Sequence, residues 1–200
     1  MSLNLQNLAA FRLPPGFRGR GVVTVQLWWV TQSLLFHASP QFLYGWRRWL
    51  LRRFGAEIGE GVIIRPSVRI TYPWKVRIGD RSQIGDRAEL YSLGEIHIGS
   101  DVVVSQDCYI CTGGHDPARA DFAIYQAPVV IEDEVWLAAG CFVMPGVRLG
   151  RGSFAMVRSL LTRDTQEASV NAGQPARKTG DRTELSPINI SPEGMRIDCA

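Results

Sequence analysis

Between residues 58 and 161 an aliphatic side chain returns every six residues. Ile58, Ile64 and Ile70 open the series, followed by Ile78, Ile84 and Leu90, then by Ile98, Val104 and Ile110. After a gap it resumes at Ile131, Leu137, Val143, Leu149, Ala155 and Leu161. The next residue is often glycine, as at Gly59, Gly79, Gly85, Gly99 and Gly150. The fifth place is small or β-branched: Val62, Val68, Ser82, Ala88, Val102, Cys108, Val135, Cys141, Val147, Ser153 and Ser159. Such a period fits neither the ~3.6-residue repeat of a helix nor the ~2-residue alternation of a half-buried strand. Short strands joined by tight turns do fit it. An aliphatic residue points inward at each corner, glycine lets the backbone turn, and the small fifth residue packs beside it. Three repeats close one triangular coil, and a coil buries its face only by stacking on its neighbours.

The expected architecture is therefore all-β, a parallel β-helix over residues 57–164. Two-residue offsets, from Ile70 to Ile78 and from Leu90 to Ile98, fall after whole coils and read as corner bulges. The step from Ile110 to Ile131 is larger and predicts a protruding loop at 112–128. A long excursion from a rigid scaffold is the natural place for chemistry. Residues 1–56, rich in aromatics and arginine, form a separate helical segment, and residues 165–200 a C-terminal segment ending in a polar tail that is irregular after about 179. The formal charge of +3, from 22 basic and 19 acidic side chains, is too balanced to argue for nucleic acid. Four cysteines are no disulfide framework, so a reducing, cytoplasmic setting is expected. The longest apolar stretch, 22–36, is interrupted by polar residues and shorter than the ~20 residues of a spanning helix.

Particular segments carry a more specific likeness. Val25-Gln26-Leu27-Trp28-Trp29, Ile64-Arg65-Pro66-Ser67-Val68, Ile70-Thr71-Tyr72-Pro73-Trp74-Lys75, Leu93-Gly94-Glu95-Ile96 and Cys111-Thr112-Gly113-Gly114-His115-Asp116 together resemble the WcaF family of colanic-acid (exopolysaccharide) biosynthesis O-acetyltransferases. The likeness runs from about residue 11 to about 178. It implies a left-handed β-helix, a hand that the period itself does not show. It further implies transfer of acetyl from acetyl-CoA to a sugar hydroxyl, and a homotrimer with each active site between two subunits.

His115 is the candidate base. Acyl transfer to a hydroxyl needs a base near neutral pKa within hydrogen-bond reach of the acceptor, and histidine is the side chain that qualifies unshifted. In the resembled family the matching histidine deprotonates the sugar hydroxyl for direct attack on the thioester. Coenzyme A needs an apolar slot for pantetheine and basic side chains for its phosphates. The resemblance assigns Trp136, Ala139 and Val157 to the pantetheine slot, Thr162 and Arg163 to the adenosine end, and Arg177 to a phosphate. Met156 and Val157 depart from the family's Gly and Ala, and Thr165-Gln166-Glu167 replaces its usual turn. Asp86 and Tyr91 fall where the family contacts its acceptor. No metal site is expected: β-helix carbonic anhydrases need three imidazoles, and of His37, His97 and His115 only two lie within the repeat. Cys108 and Cys111 occupy ordinary repeat places and read as small core residues.

Two roles compete for residues 41–54, where Phe42, Leu43, Trp46, Trp49, Leu50 and Phe54 alternate with Arg47, Arg48, Arg52 and Arg53. Arginine beside tryptophan on an amphipathic helix suits a peripheral contact at the inner face of a membrane. It suits equally a cap over the open end of a solenoid. Two rival functions also stand: a sugar-nucleotide N-acyltransferase on the same scaffold, and a non-catalytic scaffold or membrane-surface adaptor.

Overall fold

Each repeat gives two or three residues to a strand and the rest to a turn, so the strands are short and pair only with neighbouring coils. In a computed structural model, which describes residues 5–187, they stack into three parallel faces. The first face is Glu57–Ile58, Val76–Ile78, Ile96–Ile98, Val129–Ile131 and Arg148–Leu149. The second runs from Ile63–Ile64 through Gln83–Ile84, Val103–Val104, Trp136–Leu137 and Phe154–Ala155 to Ser169–Gly173. The third is Arg69–Ile70, Glu89–Tyr91, Tyr109–Cys111, Phe142–Val143 and Leu160–Leu161. First-place residues align from coil to coil, as in Ile58, Ile78, Ile98, Ile131 and Leu149. All fifteen first-place residues and all eleven fifth-place residues named above are buried. The offsets fall in the turns from third to first face, where Pro73–Lys75 forms a single helical turn.

The glycines act differently from the sequence reading. The backbone turns left-handed at the fourth place of the repeat, with φ of 58° at Arg81, 56° at Arg87 and 67° at Gly61. Second-place glycines have no such φ. Their reason is close approach: a Cβ on Gly79 would lie 2.6 Å from the carbonyl carbon of Gly99 and 2.7 Å from the nitrogen of Ser100. Gly79→Ala is therefore expected to push two coils apart and destabilise by about 1–3 kcal/mol, as overpacking does. Arg81→Gly, at a strained left-handed position, should be near neutral despite losing a surface ion pair to Asp101. Urea midpoints of the two variants check this.

The parallel pairing continues past residue 164. Ser169–Gly173 extends the second face, and Ala176–Asp181 folds back on it antiparallel. Residues 165–181 thus close the C-terminal end of the helix, where an irregular segment had been expected from about 179. Residues 188–200 of the expected tail lie outside the described residues.

The N-terminal end poses a hydrogen-bonding problem. Along the strands each coil donates N–H groups to the following coil, as Gly59 does to Ile78 and Arg65 to Ile84. The carbonyls of Ile58, Val62, Ile64, Val68 and Ile70 therefore have no preceding coil to serve them, and buried unpaired carbonyls are costly. Helix α1, Val22–Thr31, continues as a wider helical turn at Gln32–Phe36 and is followed by α2, Tyr44–Arg53. Their side chains supply all five donors. Arg52 Nε donates to Ile58 at 2.9 Å, Arg48 to Val62 at 2.8 Å and Arg47 Nε to Ile64 at 2.6 Å. His37 Nε2 reaches the Val68 carbonyl at 3.1 Å, and Trp28 Nε1 donates to Ile70 at 2.8 Å. Trp28, Phe36, Leu50 and Leu51 plug the apolar core beneath. Of the four arginines in α2 only Arg53 is left without a carbonyl or carboxylate partner among the described residues; Arg47, Arg48 and Arg52 serve the cap.

Candidate active site

His115 stands on the excursion, which is itself ordered. Gly113–His115 pairs antiparallel with Ile124–Gln126, placing His115 opposite Ile124. The His115 ring stacks on Phe122 with centroids 3.9 Å apart and meets the edge of Phe11 at 5.6 Å. Its Nδ1 lies 2.8 Å from the Phe122 carbonyl. A carbonyl only accepts, so Nδ1 carries the proton in the neutral ring and Nε2 keeps its lone pair. That is the tautomer a general base at Nε2 requires.

Sequence reasoning missed what braces this loop. Residues 5–20 run as a strap from the helical cap to the excursion. Trp74 Nε1 donates to the Arg18 carbonyl at 2.7 Å, and the Asn7 N–H donates to Ala120 at 2.6 Å near the loop's far end. Lys75 Nζ donates to the Phe17 and Leu93 carbonyls and to Gln126 Oε1. Burial lowers the Lys75 pKa, against the pull of Glu95. Lys75, Gly94, Glu95, Gln126, Ala127 and Pro128 line a cavity of about 340 Å³ at the base of the hairpin. The available signal was Phe11 and Phe122, aromatics with no place in the repeat.

The residues assigned to coenzyme A fall on two edges of the solenoid. Trp136, Ala139 and Val157 lie at or beside the corner between second and third faces, on consecutive coils. Trp136 stacks on Phe154 at 4.4 Å and donates to Ser105 at 3.1 Å. Met156 and Val157 are 45% and 63% exposed, so their bulk points outward from the core. Thr162 and Arg163 follow the third face, at the corner shared with the His115 excursion two coils earlier. There the structure does join two predicted residues: Arg163 and Arg177 line one cavity of about 160 Å³ with Lys178, Gln166 and Asn171. A single protomer thus does not gather the whole set.

Asp86 and Tyr91 are also apart. Asp86 sits at the corner between second and third faces, accepting from Ser67 Oγ at 2.7 Å and Arg65 Nε at 2.8 Å. These two bonds hold its carboxyl below the usual range. It lines a groove of about 380 Å³ with Arg65, Arg87, Ser105 and Gln106. Tyr91 lies across the third face, 5.8 Å from Tyr109 and packed in the cluster of Phe17, Tyr72 and Leu93. His37 serves the cap, and His97 pairs with Glu95 at 2.7 Å. Cys108, Cys111 and Cys141 are buried, and the adjoining Cys141 thiol and burial push the Cys108 thiol up. Among the described residues no cluster of three His, Cys, Asp or Glu could hold a metal.

No family model matches the chain. Comparison with curated proteins is decisive. The chain is 48% identical over 180 residues to the colanic acid biosynthesis acetyltransferase WcaF of Escherichia coli, covering 90% of this chain and 99% of that protein. It belongs to the WcaF acetyltransferase family. Because the match spans nearly all of WcaF, it extends well beyond the shared hexapeptide repeat. A galactoside O-acetyltransferase of Lactococcus lactis is 32% identical over 157 residues, 74% of this chain and 73% of the relative. Among solved structures, a galactoside acetyltransferase in complex with coenzyme A has TM-score 0.75 at 21% identity, covering 85% of this chain and 84% of that one. A hexapeptide-repeat acetyltransferase of Vibrio cholerae, solved with acetyl-coenzyme A, has TM-score 0.71 at 21% identity, with 80% and 87% covered. At that identity the solved structures speak for the fold alone, and they agree with the WcaF membership.

Proposed function

We propose that this WcaF-family acetyltransferase moves acetyl from acetyl-CoA to a sugar hydroxyl in cytoplasmic exopolysaccharide assembly, with His115 as general base. The observation that carries the reading is the His115 Nδ1 bond to the Phe122 carbonyl, which leaves Nε2 bare on an ordered, protruding hairpin. In the reaction Nε2 takes the hydroxyl proton as the acceptor oxygen attacks the thioester carbonyl. Collapse of the tetrahedral adduct breaks the C–S bond, and the departing thiolate takes the proton back from the imidazolium. No acyl-enzyme forms. Direct transfer suits the site, since Cys108, Cys111 and Cys141 are buried among core residues rather than presented to an acyl group.

The complete site lies between two protomers of a homotrimer. One protomer brings His115 with Thr162, Arg163 and Arg177; its neighbour brings Trp136, Ala139 and Val157 from the opposite edge of the third face. Two incomplete edges on one chain are what a rotationally closed, heterologous interface joins. The acceptor, as a sugar, sugar nucleotide or lipid-linked oligosaccharide, enters beside the hairpin, with Tyr91 and the Lys75 cavity on the same side. Asp86 contributes from the neighbour's edge.

The test uses two variants that are each inactive, His115→Ala and Val157→Trp, the latter filling the pantetheine slot from an exposed position. Coexpressed, they are expected to regain about a quarter of wild-type turnover, because that share of interfaces in a randomly mixed trimer is intact on both sides. No recovery would place the whole site within one chain. Calorimetric titration with acetyl-CoA completes the test: His115→Ala binds and Val157→Trp does not. Wild-type protein failing to bind acetyl-CoA would favour the scaffold reading.

A further inference from the structure

Helix α1 is apolar on every side, a pattern proper to a helix buried all round. Here only one side is covered. Val25, Trp28 and Thr31 are buried, while Val23, Leu27 and Val30 and, in the following turn, Leu34 are exposed, Val23 at 82% and Leu34 at 66%. The second part of the cap extends this surface with Phe42, 76% exposed, and the stacked pair Trp46 and Trp49. Trp46 Nε1 donates to the Leu35 carbonyl at 3.0 Å, tying the two parts together. From residue 21 to residue 46 the chain has no charged side chain. An exposed apolar surface of this extent marks a docking face.

Charge identifies the occupant. Residues 1–56 hold seven arginines and no acidic residue, whereas all 19 acidic side chains lie beyond them. Arg47, Arg48 and Arg52 are bound to the carbonyls of the first coil. Arg20 and Arg53 are exposed and make no ion pair among the described residues. The Arg20 guanidinium lies 3.7 Å from the Cβ position of Gly55, beside the end of α2 that carries Arg53. An uncharged apolar and tryptophan-bearing face with cations at its margin matches the layered chemistry of an anionic lipid surface. No helix among the described residues is long and apolar enough to cross a bilayer, so contact lies in the plane of the interface.

We infer that the outer face of the N-terminal cap, from Val22 to Trp49, docks on an anionic lipid bilayer, with Arg20 and Arg53 meeting phosphate headgroups. This extends the contact expected at residues 41–54 to the outer side of α1, and it stands apart from the chemistry at His115. All caps of a rotationally symmetric assembly face one way, so several copies engage one membrane together.

Flotation tests it with equimolar phosphatidylglycerol–phosphatidylcholine vesicles, and with phosphatidylcholine alone. The protein is expected to float with the anionic vesicles and far less with the neutral ones. Val23→Glu with Leu34→Glu should abolish flotation at unchanged Tm, since both positions are exposed. Arg20→Ala and Arg53→Ala should each weaken anionic binding about fivefold, equivalent to ~1 kcal/mol per arginine, and leave the residual neutral binding unchanged. Absence of wild-type flotation, or flotation that survives the double glutamate variant, overturns the inference. If the protein does not float and the glutamate variant instead splits a larger assembly in sedimentation, a second copy covers the face and the lipid assignment fails.

Discussion

His115→Ala should lower kcat by roughly 10²–10⁴-fold, the range attributed to a positioned general base, and leave acetyl-CoA affinity almost unchanged. That is about 3–5 kcal/mol of barrier. The size follows from the geometry. With Nδ1 committed to the Phe122 carbonyl, Nε2 is the free ring nitrogen, and no second imidazole stands on the hairpin. The fold should survive the change, because the hairpin is held by the pairing of Gly113–His115 with Ile124–Gln126 through backbone bonds. Two readouts separate loss of a base from loss of structure. Exogenous imidazole should restore part of the alanine variant's turnover, and calorimetry should show the cofactor still bound. Unaltered turnover would remove His115 from the mechanism.

Arg47→Ala is expected to be the most damaging single change to stability outside the coils, by about 3–5 kcal/mol. Arg47 is fully buried, with Nε on the Ile64 carbonyl, Nη1 on Ser39 Oγ and the Pro40 carbonyl, and Nη2 on the Gln41 carbonyl. Burial pulls its pKa below the ordinary guanidinium value, with the nearby Tyr44 opposing, yet a guanidinium stays charged in proteins. No carboxylate shares the bond set; four oxygen acceptors hold the charge. Truncation leaves those acceptors unserved and opens a void under α2. At ~2–4 °C per kcal/mol for a chain of this size, Tm should fall by about 10 °C. Arg47→Lys should recover only part of the loss, because an ammonium cannot reach Ile64, Ser39 and Gln41 from one fork. A thermal scan showing less than about 1 kcal/mol for the alanine variant would mean that water replaces the side chain.

The coils were legible because their burial is periodic. Ile58 to Leu161 announce themselves by spacing, and each lies in the core. The hand of the coil was not legible, since the same spacing serves either hand and the expectation came from resemblance. The role of the second-place glycines was misread for a related reason: sequence shows that Gly79 is small, and only the stacked backbone of Gly99 shows why. His115 was found by its motif, but Phe122 and Phe11 were not, because their contacts cross a turn and a strap that no period encodes. The arginines of α2 were seen and their purpose divided between two partners. Whether a guanidinium meets a carbonyl or a lipid depends on which side of the helix faces the first coil, and that is a tertiary fact.

The lid on the first coil has a consequence for biosynthesis. It lies at the end of the chain that leaves the ribosome first. Domains fold as units from the N-terminus during synthesis, and here the donors for Ile58, Val62, Ile64, Val68 and Ile70 are translated before their acceptors. Each later coil needs only the one just completed, about twenty residues upstream except across the excursion, where Ile131 meets Ile98, so loop closure stays short. The molecule can therefore be laid down in order, like courses of brick on a finished footing. The strand carbonyls of the first coil, above all, need not wait for a later segment to arrive.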